Sequence, residues 1–387
     1  MTNISIDILT SLDNISTEDW NKLSGTHKPF TRYEFLHALE ASACTTKAEG
    51  WTPNHILLRD KEQLIGIIPG YLKTHSYGEY VFDWSWAEAY QHYQMNYYPK
   101  LLSAIPFTPS IGSRLFLAPE YQSSENINAI LERVIAYLEQ SSIPSWHLLF
   151  PENTSYELLQ QANKKTQSKL IERTGCQFHW QNKAYPDFDN FLAHLNSRKR
   201  KSIRKEREKV AQQDITFHIF EGCEISQSIL DIYYPFYQAT YFKRGQHPYL
   251  NRAFFEQICQ TMPENVMLCM AKKEGHFVAG AWFFKDDDTL YGRNWGCLEE
   301  YKHLHFECCY YQGIEYCIKH GLHNFDAGAQ GEHKLQRGFK PLKTYSFHWI
   351  AHEGFSNAIS TAVKEEQQQI EQYIEDAARH LPFKRAN

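Results

Sequence analysis

The fold is decided by a stretch that runs from Tyr291 to Pro341 and reads YGRNWGCLEEYKHLHFECCYYQGIEYCIKHGLHNFDAGAQGEHKLQRGFKP. Its start belongs to an apolar strand, Thr289 to Cys297, that follows an acidic turn. A helix is predicted over His305 to His320, because Gly321 is a typical residue at the end of a helix. A second strand is predicted near Asn324 to Ala327. The stretch therefore predicts a strand, helix and strand in succession.

The loop after the second strand is the candidate site. Its glycines, Gly328, Gly331 and Gly338, let backbone and polar side chains approach a ligand closely. Loops of this composition at strand ends often carry binding or catalytic residues. The donors and cations are Gln330, His333, Lys334 and Arg337, and the carboxylates are Asp326, Glu332 and, on the helix, Glu307.

Length and composition set the broad class. The 387 residues are enough for two domains, and 40 Lys and Arg against 45 Asp and Glu give a mildly acidic chain. This balance excludes bulk coating of nucleic acid or membrane surfaces. No apolar run is long enough to span a membrane, the first residues lack the pattern of a signal peptide, and none of the nine cysteines forms a CxxC pair. We therefore expect a cytoplasmic protein without disulfides.

Two similar hairpin patterns suggest a duplicated architecture. The first comprises His55 to Arg59 and Leu64 to Lys73, and the second, about 210 residues later, comprises Val266 to Ala271 and Phe277 to Lys285. The alternative is that any two short hairpins look alike. The repeat predicts two α/β domains with mixed sheets, 1–165 and 166–387, joined within the polar segment Asn153 to Arg173. A helix is also predicted over Tyr90 to Ala104.

A basic segment departs from the acidic total. Arg198 to Lys209 contains eight Lys or Arg and two Glu, a local charge of +6 that leaves −11 for the rest of the chain. On a helix, these cations surround much of the surface, and the phosphates of tRNA, a nucleotide-linked precursor or an anionic lipid are candidate partners. The alternative is a solvated helix that only keeps the protein soluble.

An aromatic segment, Tyr233 to Leu250, mixes tyrosine and phenylalanine with Lys243, Arg244 and His247. It is either an acceptor pocket with aromatic walls or the end of a core helix spanning Ser226 to Phe242. We expect Tyr234 and Phe236 to pack in the core, and we keep Arg244 and His247 as candidates for substrate binding because a buried charge needs a partner.

The helix after the strand separates its roles by spacing. Glu307 lies in the first turn, where a partly buried carboxylate has a raised pKa suited to accepting a proton. The alternative is that it favours the helix dipole or accepts a backbone hydrogen bond. His305 and Cys309 lie four residues apart, but no second pair completes a metal site, so no metal is expected. The packing face is Phe306, Tyr310, Gly313, Ile314 and Cys317.

The order of these elements resembles the acyltransferase fold called GNAT, and the tandem arrangement resembles the FemABX peptidyltransferases. Four strings resemble those of the FemAB-like N-acyltransferases, a bacterial family similar to FemABX over nearly the whole chain. They are SRKRKSIRKER (Ser197 to Arg207), LYGRNWGCLEE (Leu290 to Glu300), HFE (His305 to Glu307) and GAQGEHKLQRGF (Gly328 to Phe339).

This resemblance implies two tandem GNAT-like domains and transfer of an acyl or aminoacyl group to an amine-bearing small molecule or precursor. A cell-envelope or peptidoglycan precursor is the candidate acceptor. The resemblance implies no tightly bound cofactor, and it leaves the donor open between aminoacyl-tRNA and acyl-CoA, so tRNA is a candidate partner.

One departure from GNAT enzymes bears on the donor. Enzymes that use acetyl-CoA have a Gln/Arg-x-x-Gly-x-Gly/Ala loop before the helix, where backbone N–H groups and the helix dipole hold the pyrophosphate. This chain has Glu299, Glu300, Tyr301, Lys302 and His303 there. Two carboxylates repel a diphosphate, so the sequence disfavours coenzyme A binding of the usual kind. FemABX proteins, which lack that loop, use aminoacyl-tRNA.

The resemblance also implies a lysine that stabilises the transition state near this loop, and Lys334 and Arg337 are the two candidates for its counterpart. We expect Lys334 to stabilise charge and Glu307 or His333 to transfer the proton. The alternatives are that the charges of the loop pair with each other, or that the chain is a non-catalytic module that binds an anionic nucleotide or RNA. The expected substrate-binding residues are Arg198, Arg200, Lys201, Arg204, Arg244, His247, Arg293, Gln330 and Arg337.

Overall fold

A computed structural model describes residues 4–165, 169–329 and 331–384 of the chain. The strands are β1 (Ile4–Leu9), β2 (Trp51–Pro53), β3 (His55–Asp60), β4 (Gln63–Ile68), β5 (Tyr71–Lys73), β6 (Lys100–Ser103), β7 (Phe116–Leu117), β8 (Ser145–Leu149), β9 (Ile171–Gln181), β10 (Ile215–Glu221), β11 (Val266–Lys273), β12 (His276–Lys285), β13 (Thr289–Cys297), β14 (Asn324–Asp326) and β15 (Lys340–Ile350). The helices are α1 (Thr17–Ser24), α2 (Tyr33–Ala41), α3 (Trp84–His92), α4 (Ser124–Gln140), α5 (Asn153–Asn163), α6 (Phe188–Ala193), α7 (Ser197–Ala211), α8 (Gln227–Phe242), α9 (Arg252–Thr261), α10 (Leu304–Phe306), α11 (Gln312–His320) and α12 (Glu353–Arg379), with a π-helical turn, Glu307–Tyr311, joining α10 to α11.

Contacts divide the chain into two compact units. The first runs to Gly175 and includes Lys343–Gln372, and the second runs from Cys176 to Leu342 and resumes at Tyr373. The boundaries fall within β9, β15 and α12. This division differs from the two continuous halves, 1–165 and 166–387, that the sequence predicts.

The first unit contains an antiparallel sheet in the order β1-β3-β4-β7. A second series of strands runs β15-β8-β6-β5-β2, in which β6 and β8 are parallel and the other pairs are antiparallel. Helix α4 buries one face because its apolar residues recur at helical spacing. That face is Ile127, Ile130, Leu131, Val134, Ile135 and Leu138.

Two predictions for the first unit are wrong. The predicted helix Tyr90–Ala104 is instead the end of α3 followed by strand β6, all four residues of which are buried. A short apolar run fits a buried strand as well as a helix, and pairing on both sides decides between them. The predicted strand Leu64–Lys73 is two strands, because Pro69 and Gly70 interrupt the pairing.

The second unit is a sheet in the order β10-β11-β12-β13-β14-β9. Its neighbours are antiparallel except β13 and β14, which run parallel and are joined through the helical segment 304–320. Tight packing fixes α8 against the sheet, since a Cβ on Gly296 of β13 would lie 1.7 Å from the carbonyl oxygen of Phe236. The chain is thus a mixed α/β protein, as predicted. None of the helices among the described residues is long and apolar enough to cross a membrane.

Candidate functional site

A cleft opens in the second unit beyond the end of β14. Strands β13 and β14 pair over all three positions of β14, from Thr289 opposite Asn324 to Tyr291 opposite Asp326, and β13 then continues to Cys297. The cleft has a volume of about 120 Å³ and is lined by Ala281, Trp282, Phe283, Gly292, Arg293, Asn294, Trp295, His305, Cys309, Tyr310 and Ala327.

An ion pair fixes the base of this cleft. Asp326, at the end of β14, is 1% exposed and accepts a hydrogen bond of 2.7 Å from Nη2 of Arg293. The backbone N–H of Gly328 donates to the same carboxylate at 2.9 Å, and His179 Nε2 lies 3.7 Å from it. Burial opposes ionisation, but Arg293 and His179 outweigh burial and hold the pKa of Asp326 well below its usual value. Arg293 is therefore held in one orientation at the cleft.

Lys334 is buried beside this ion pair. Its Nζ donates to the carbonyl oxygen of Gly328 at 2.7 Å, and the residue is 1% exposed. Its pKa is lowered to about 8, chiefly by burial; the charge of Asp326 opposes this shift and the charge of Arg293 adds to it. The predicted loop is here a 3-10 helix, Glu332–Arg337, which ends at Gly338. This short helix points Lys334 toward the carboxylate and backbone at the strand end.

Three aromatic groups approach the cleft from the helical segment and the loop. His305 lines the cleft, and burial, followed by the charge of His333, lowers its pKa to about 4, so its imidazole is neutral at physiological pH. Tyr310 also lines the cleft, and its Oη lies 2.8 Å from Nε2 of His333. Burial raises the pKa of Tyr310, which keeps its hydroxyl protonated. His333 thus reaches the cleft through Tyr310.

Two polar atoms in the walls of the cleft lack a partner. Oδ1 of Asn294 and Nε1 of Trp282 are buried and have no hydrogen-bond partner among the described residues. Buried polar atoms are paired in the great majority of cases, because an unpaired one costs about 1–3 kcal/mol. The residues that line the cleft therefore include one acceptor and one donor whose hydrogen-bonding capacity is not used by the described residues.

Glu307 lies elsewhere. Its carboxylate, in the π-helical turn, accepts hydrogen bonds from Arg207 at 2.9 Å and from Gln312 at 2.9 Å, and it lines a different cavity. Its pKa is raised by burial, as the sequence predicts, although Arg207 opposes this shift. The structure brings Lys334 and His333 to the strand ends but places Glu307 on another side of the helical segment.

The basic segment forms helix α7, whose cations divide into two groups. The side chains of Arg198, Lys201 and Arg204 are exposed, that of Arg200 is partly exposed, and Arg204 also pairs with the exposed Asp189 at 2.9 Å. The Arg207 guanidinium instead donates to Glu307 at 2.9 Å and to Glu315 at 2.7 Å. One side of α7 therefore packs on the fold and the other presents positive charge.

Arg337 is also committed to the protein. It is 5% exposed, donates to Glu206 at 2.8 Å and lies 3.5 Å from the centroid of the Phe306 ring. Glu332 accepts a hydrogen bond from Tyr373 at 2.9 Å. The charges of the loop thus find partners, but mostly outside the loop.

The expectation that Arg244 and His247 need partners because they are buried is wrong. Helix α8 ends at Phe242, and both residues lie exposed in the loop that follows. Phe236 is buried in the core as predicted, whereas Tyr234 is partly buried.

Two further predictions concern Gln330 and the absence of a metal site. Gln330 lies outside the described residues. In the part of the chain that the structure describes, no group of three or more His, Cys, Asp or Glu side chains is arranged to hold a metal ion.

Sequence reasoning missed the arrangement around the cleft. His179, on β9, and His305 were not assigned to a transfer site, and the pairing of Arg293 with Asp326 joins residues on two strands. Strand alternation gives no signal here, because the register between β12 and β13 shifts at Trp282 and Phe283 and leaves Arg293 as the extra residue of a bulge. Pairing of β14 with both β13 and β9 brings these side chains together, and pairing cannot be read from one segment.

Comparison with known proteins places the chain in a family. A family model for FemAB-like proteins, described as peptidoglycan biosynthesis and recognition, matches residues 11–385. A search of curated protein sequences finds no match. Among solved structures, FemX is 11% identical with a TM-score of 0.52 over 90% of this chain and 99% of its own. L-PGS from Bacillus licheniformis is 9% identical with a TM-score of 0.50 over 87% and 96%. These similarities show a shared fold, and the family match over nearly the whole length shows that the chain belongs to the FemAB-like family.

Proposed function

We propose that this FemAB-like protein is an N-acyltransferase that moves an aminoacyl or acyl group onto the amine of a peptidoglycan precursor. Family membership supports the transferase class and the precursor. The observation that carries the assignment of the site is the cleft lined by β12, β13 and the helical segment, with the neutral His305 in its wall and the Arg293–Asp326 ion pair at its base.

The fold supports the tandem part of this proposal. In the second unit, β10, helices α8 and α9, and β11 to β13 are followed by a helical segment and the parallel strand β14. This is the order of elements expected for a GNAT-like domain. The antiparallel hairpins β3–β4 and β11–β12 both turn through a residue with positive φ, Lys61 and Glu274, which suits a related hairpin in the first unit.

The chemistry needs few side chains. The amine nitrogen of the acceptor attacks the carbonyl carbon of the donor, a C–N bond forms, and the carbonyl oxygen gains negative charge. We assign Arg293, and Lys334 behind it, to stabilise that charge, because fixed cations in a site that excludes water act strongly on a developing oxyanion. His305 accepts the proton from the attacking nitrogen.

Collapse of the intermediate breaks the bond between the carbonyl carbon and the leaving oxygen or sulfur. We assign Tyr310 to protonate that leaving atom. The proton that His305 took from the nitrogen then returns to Tyr310 by way of His333, whose ring lies beside that of His305 and whose Nε2 is 2.8 Å from the Tyr310 hydroxyl. Glu307 takes no part in this scheme, and its catalytic role stays a prediction from the sequence.

The charges on the surface of the second unit support aminoacyl-tRNA as the donor. The residues before α10 include the exposed Glu299 and Glu300, which oppose a diphosphate at this helix terminus. The exposed cations of α7, Arg198, Lys201 and Arg204, suit a phosphate backbone. A tRNA donor and a nucleotide-linked precursor also fit a reaction in the cytoplasm.

A transfer assay tests the proposal. The protein is incubated with a labelled aminoacyl-tRNA or acyl-CoA and a peptidoglycan precursor with a free amine, and the amide product is detected by mass spectrometry. We expect product with aminoacyl-tRNA, a loss of about 10²–10⁴-fold in His305→Ala, and little change in the exposed control His218→Ala on β10. Product formation that is equally fast in the two variants contradicts the assignment of the cleft.

The salt dependence of tRNA binding tests the role of α7 separately. Replacing Lys201 with Gln is expected to reduce the slope of log affinity against log salt by about one. The control is Lys319→Gln on α11, which removes an exposed cation elsewhere in the second unit. An unchanged slope in Lys201→Gln excludes α7 as the tRNA contact.

A further inference from the structure

A second and larger cavity lies in the second unit, away from the transfer cleft. It has a volume of about 470 Å³, within the range of roughly 300–1,000 Å³ typical of small-molecule sites. It lies among α6, α7, β10 and the helical segment, and none of its lining residues also lines the transfer cleft. The lining residues are Phe188, Asp189, Leu192, Arg204, Arg207, Glu208, Val210, Ala211, Ile215, Phe217, Glu307, Gln312 and Glu315.

The walls combine hydrocarbon with an excess of negative charge. Apolar side chains from α6, α7 and β10 form one part of the lining, and the charged groups are four carboxylates against two guanidinium groups. A ligand that fits must therefore offer an apolar body and positive charge. Anions are disfavoured because they would meet this acidic excess.

One guanidinium serves two carboxylates in this cavity. Arg207 donates to Glu307 at 2.9 Å through Nη2 and to Glu315 at 2.7 Å through Nη1. Two negative charges and one positive charge leave a net charge of about −1 on the three ionised groups. The Arg207 guanidinium also lies 4.5 Å from the ring centroid of Phe188, so it is held between the aromatic face and the carboxylates.

The position of Glu307 marks this as a built site. Its side chain is 3% exposed, although carboxylates are rarely fully buried. It begins the π-helical turn Glu307–Tyr311, and such turns inside α-helices occur frequently at functional sites because they shift the register of the side chains around them. Burial raises its pKa, which shows that a single shared guanidinium does not fully compensate the buried carboxylate.

The rim of the cavity gives access from solvent. Asp189 on α6 and Arg204 on α7 pair at 2.9 Å, and their side chains are 77% and 58% exposed. Exposed ion pairs contribute little stability, typically 0–1 kcal/mol, so a ligand displaces this pair at small cost. Ala211 on α7 is also exposed and lines the cavity.

We propose that this cavity binds an organic ammonium ligand, whose apolar body packs on Phe188, Leu192 and Val210 and whose positive charge is neutralised by Glu307 and Glu315. The site is separate from the transfer cleft, and it shares only the rim residue Arg204 with the surface assigned to the donor. Its ligand supplies the positive charge that balances the net negative charge of Glu307, Glu315 and Arg207.

Isothermal titration of the full chain with n-hexylamine, 1-hexanol and hexanoate at neutral pH tests this proposal. These probes share an apolar body and differ in charge. The amine is expected to bind about tenfold or more tightly than the alcohol, and hexanoate more weakly than either, because charge complementarity sets the order. Equal binding of the three probes, or binding of none, overturns the proposal.

Variants locate the site. Glu315→Gln is expected to bring the amine to within about twofold of the alcohol, since Arg207 and Glu307 then balance. Ala211→Phe, which fills the cavity from its exposed rim, is expected to abolish binding of both. The matched control is Glu375→Gln on α12, which removes the same charge from an exposed side chain and leaves binding unchanged.

The transfer cleft also accepts an amine in the proposed function, so the two sites must be told apart. Ala327→Phe fills the cleft and leaves the lining of the larger cavity intact. We expect n-hexylamine to bind this variant as it binds the unmodified chain. Loss of binding in Ala327→Phe, with binding retained in Ala211→Phe, assigns the amine to the cleft and refutes the second site.

Discussion

The ion pair at the base of the transfer cleft makes a quantitative prediction for Asp326→Asn. The carboxylate is 1% exposed, and the Arg293 side chain that donates to it is 5% exposed. Breaking a buried ion pair costs about 3–5 kcal/mol, because the remaining charge stays buried without compensation. The asparagine keeps a carbonyl oxygen that accepts from the N–H of Gly328, so we expect a loss of about 3 kcal/mol, at the lower end of that range.

Urea denaturation, with hydrogen exchange of the β13 and β14 amides to localise the effect, measures this loss. The matched control is Asp231→Asn, which breaks an ion pair of equal length, 2.7 Å, whose aspartate is 62% exposed. Exposed pairs of this kind contribute about 0–1 kcal/mol. If Asp326→Asn costs no more than Asp231→Asn, the pair does not hold the strand ends together.

The pH dependence of the same variant has a defined sign. The pKa of Asp326 is lower in the folded chain than in the unfolded chain. The carboxylate therefore stabilises the fold above its unfolded pKa of about 4, and this contribution is lost as the pH falls toward the folded pKa. We expect the stabilities of the unmodified chain and Asp326→Asn to converge below about pH 4. A constant difference down to strongly acidic pH contradicts the lowered pKa.

Three further predictions follow from the second unit. Gly296→Ala is expected to destabilise the second unit by about 3 kcal/mol or more, because the new Cβ would lie 1.7 Å from the carbonyl oxygen of Phe236. The control Gly275→Ala has no neighbour within 4 Å and costs only backbone strain of about 1–3 kcal/mol. Thermal denaturation of both variants compares the two losses. The pKa of Lys334 is lowered to about 8 in the folded chain, chiefly by burial, so the unfolded chain binds more protons than the folded chain between about pH 8 and 10.5. The stability of the unmodified chain relative to Lys334→Met should therefore rise over that interval, and a fall in this difference contradicts the lowered pKa. Transfer activity should fall above about pH 8 as Lys334 loses its charge, and Lys334→Arg, if it transfers at all, should move that decline to higher pH; an identical profile in the two proteins excludes Lys334 as the charged group.

The sequence by itself determined the elements whose signals are local. Strand β13 has its predicted bounds, α8 begins one residue after the predicted start at Ser226 and ends at Phe242 as predicted, and Gly321 ends the helical segment in the left-handed region. These outcomes depend on periodicity, capping and backbone preferences, which act over a few neighbouring residues. The family resemblance, carried by long strings, was also available from sequence and agrees with the family match.

Tertiary structure decided what pairing and burial control. Lys100–Ser103 is a strand because neighbours on both sides pair with it, and no feature of the four residues alone distinguishes a buried strand from a helix. Arg293 meets Asp326 across 33 residues because β13 and β14 run parallel. Glu307, predicted to join Lys334, instead faces Arg207 and a separate cavity. Local sequence preferences fix where a helix or strand forms, but the direction in which its charged side chains find partners depends on segments distant in the chain.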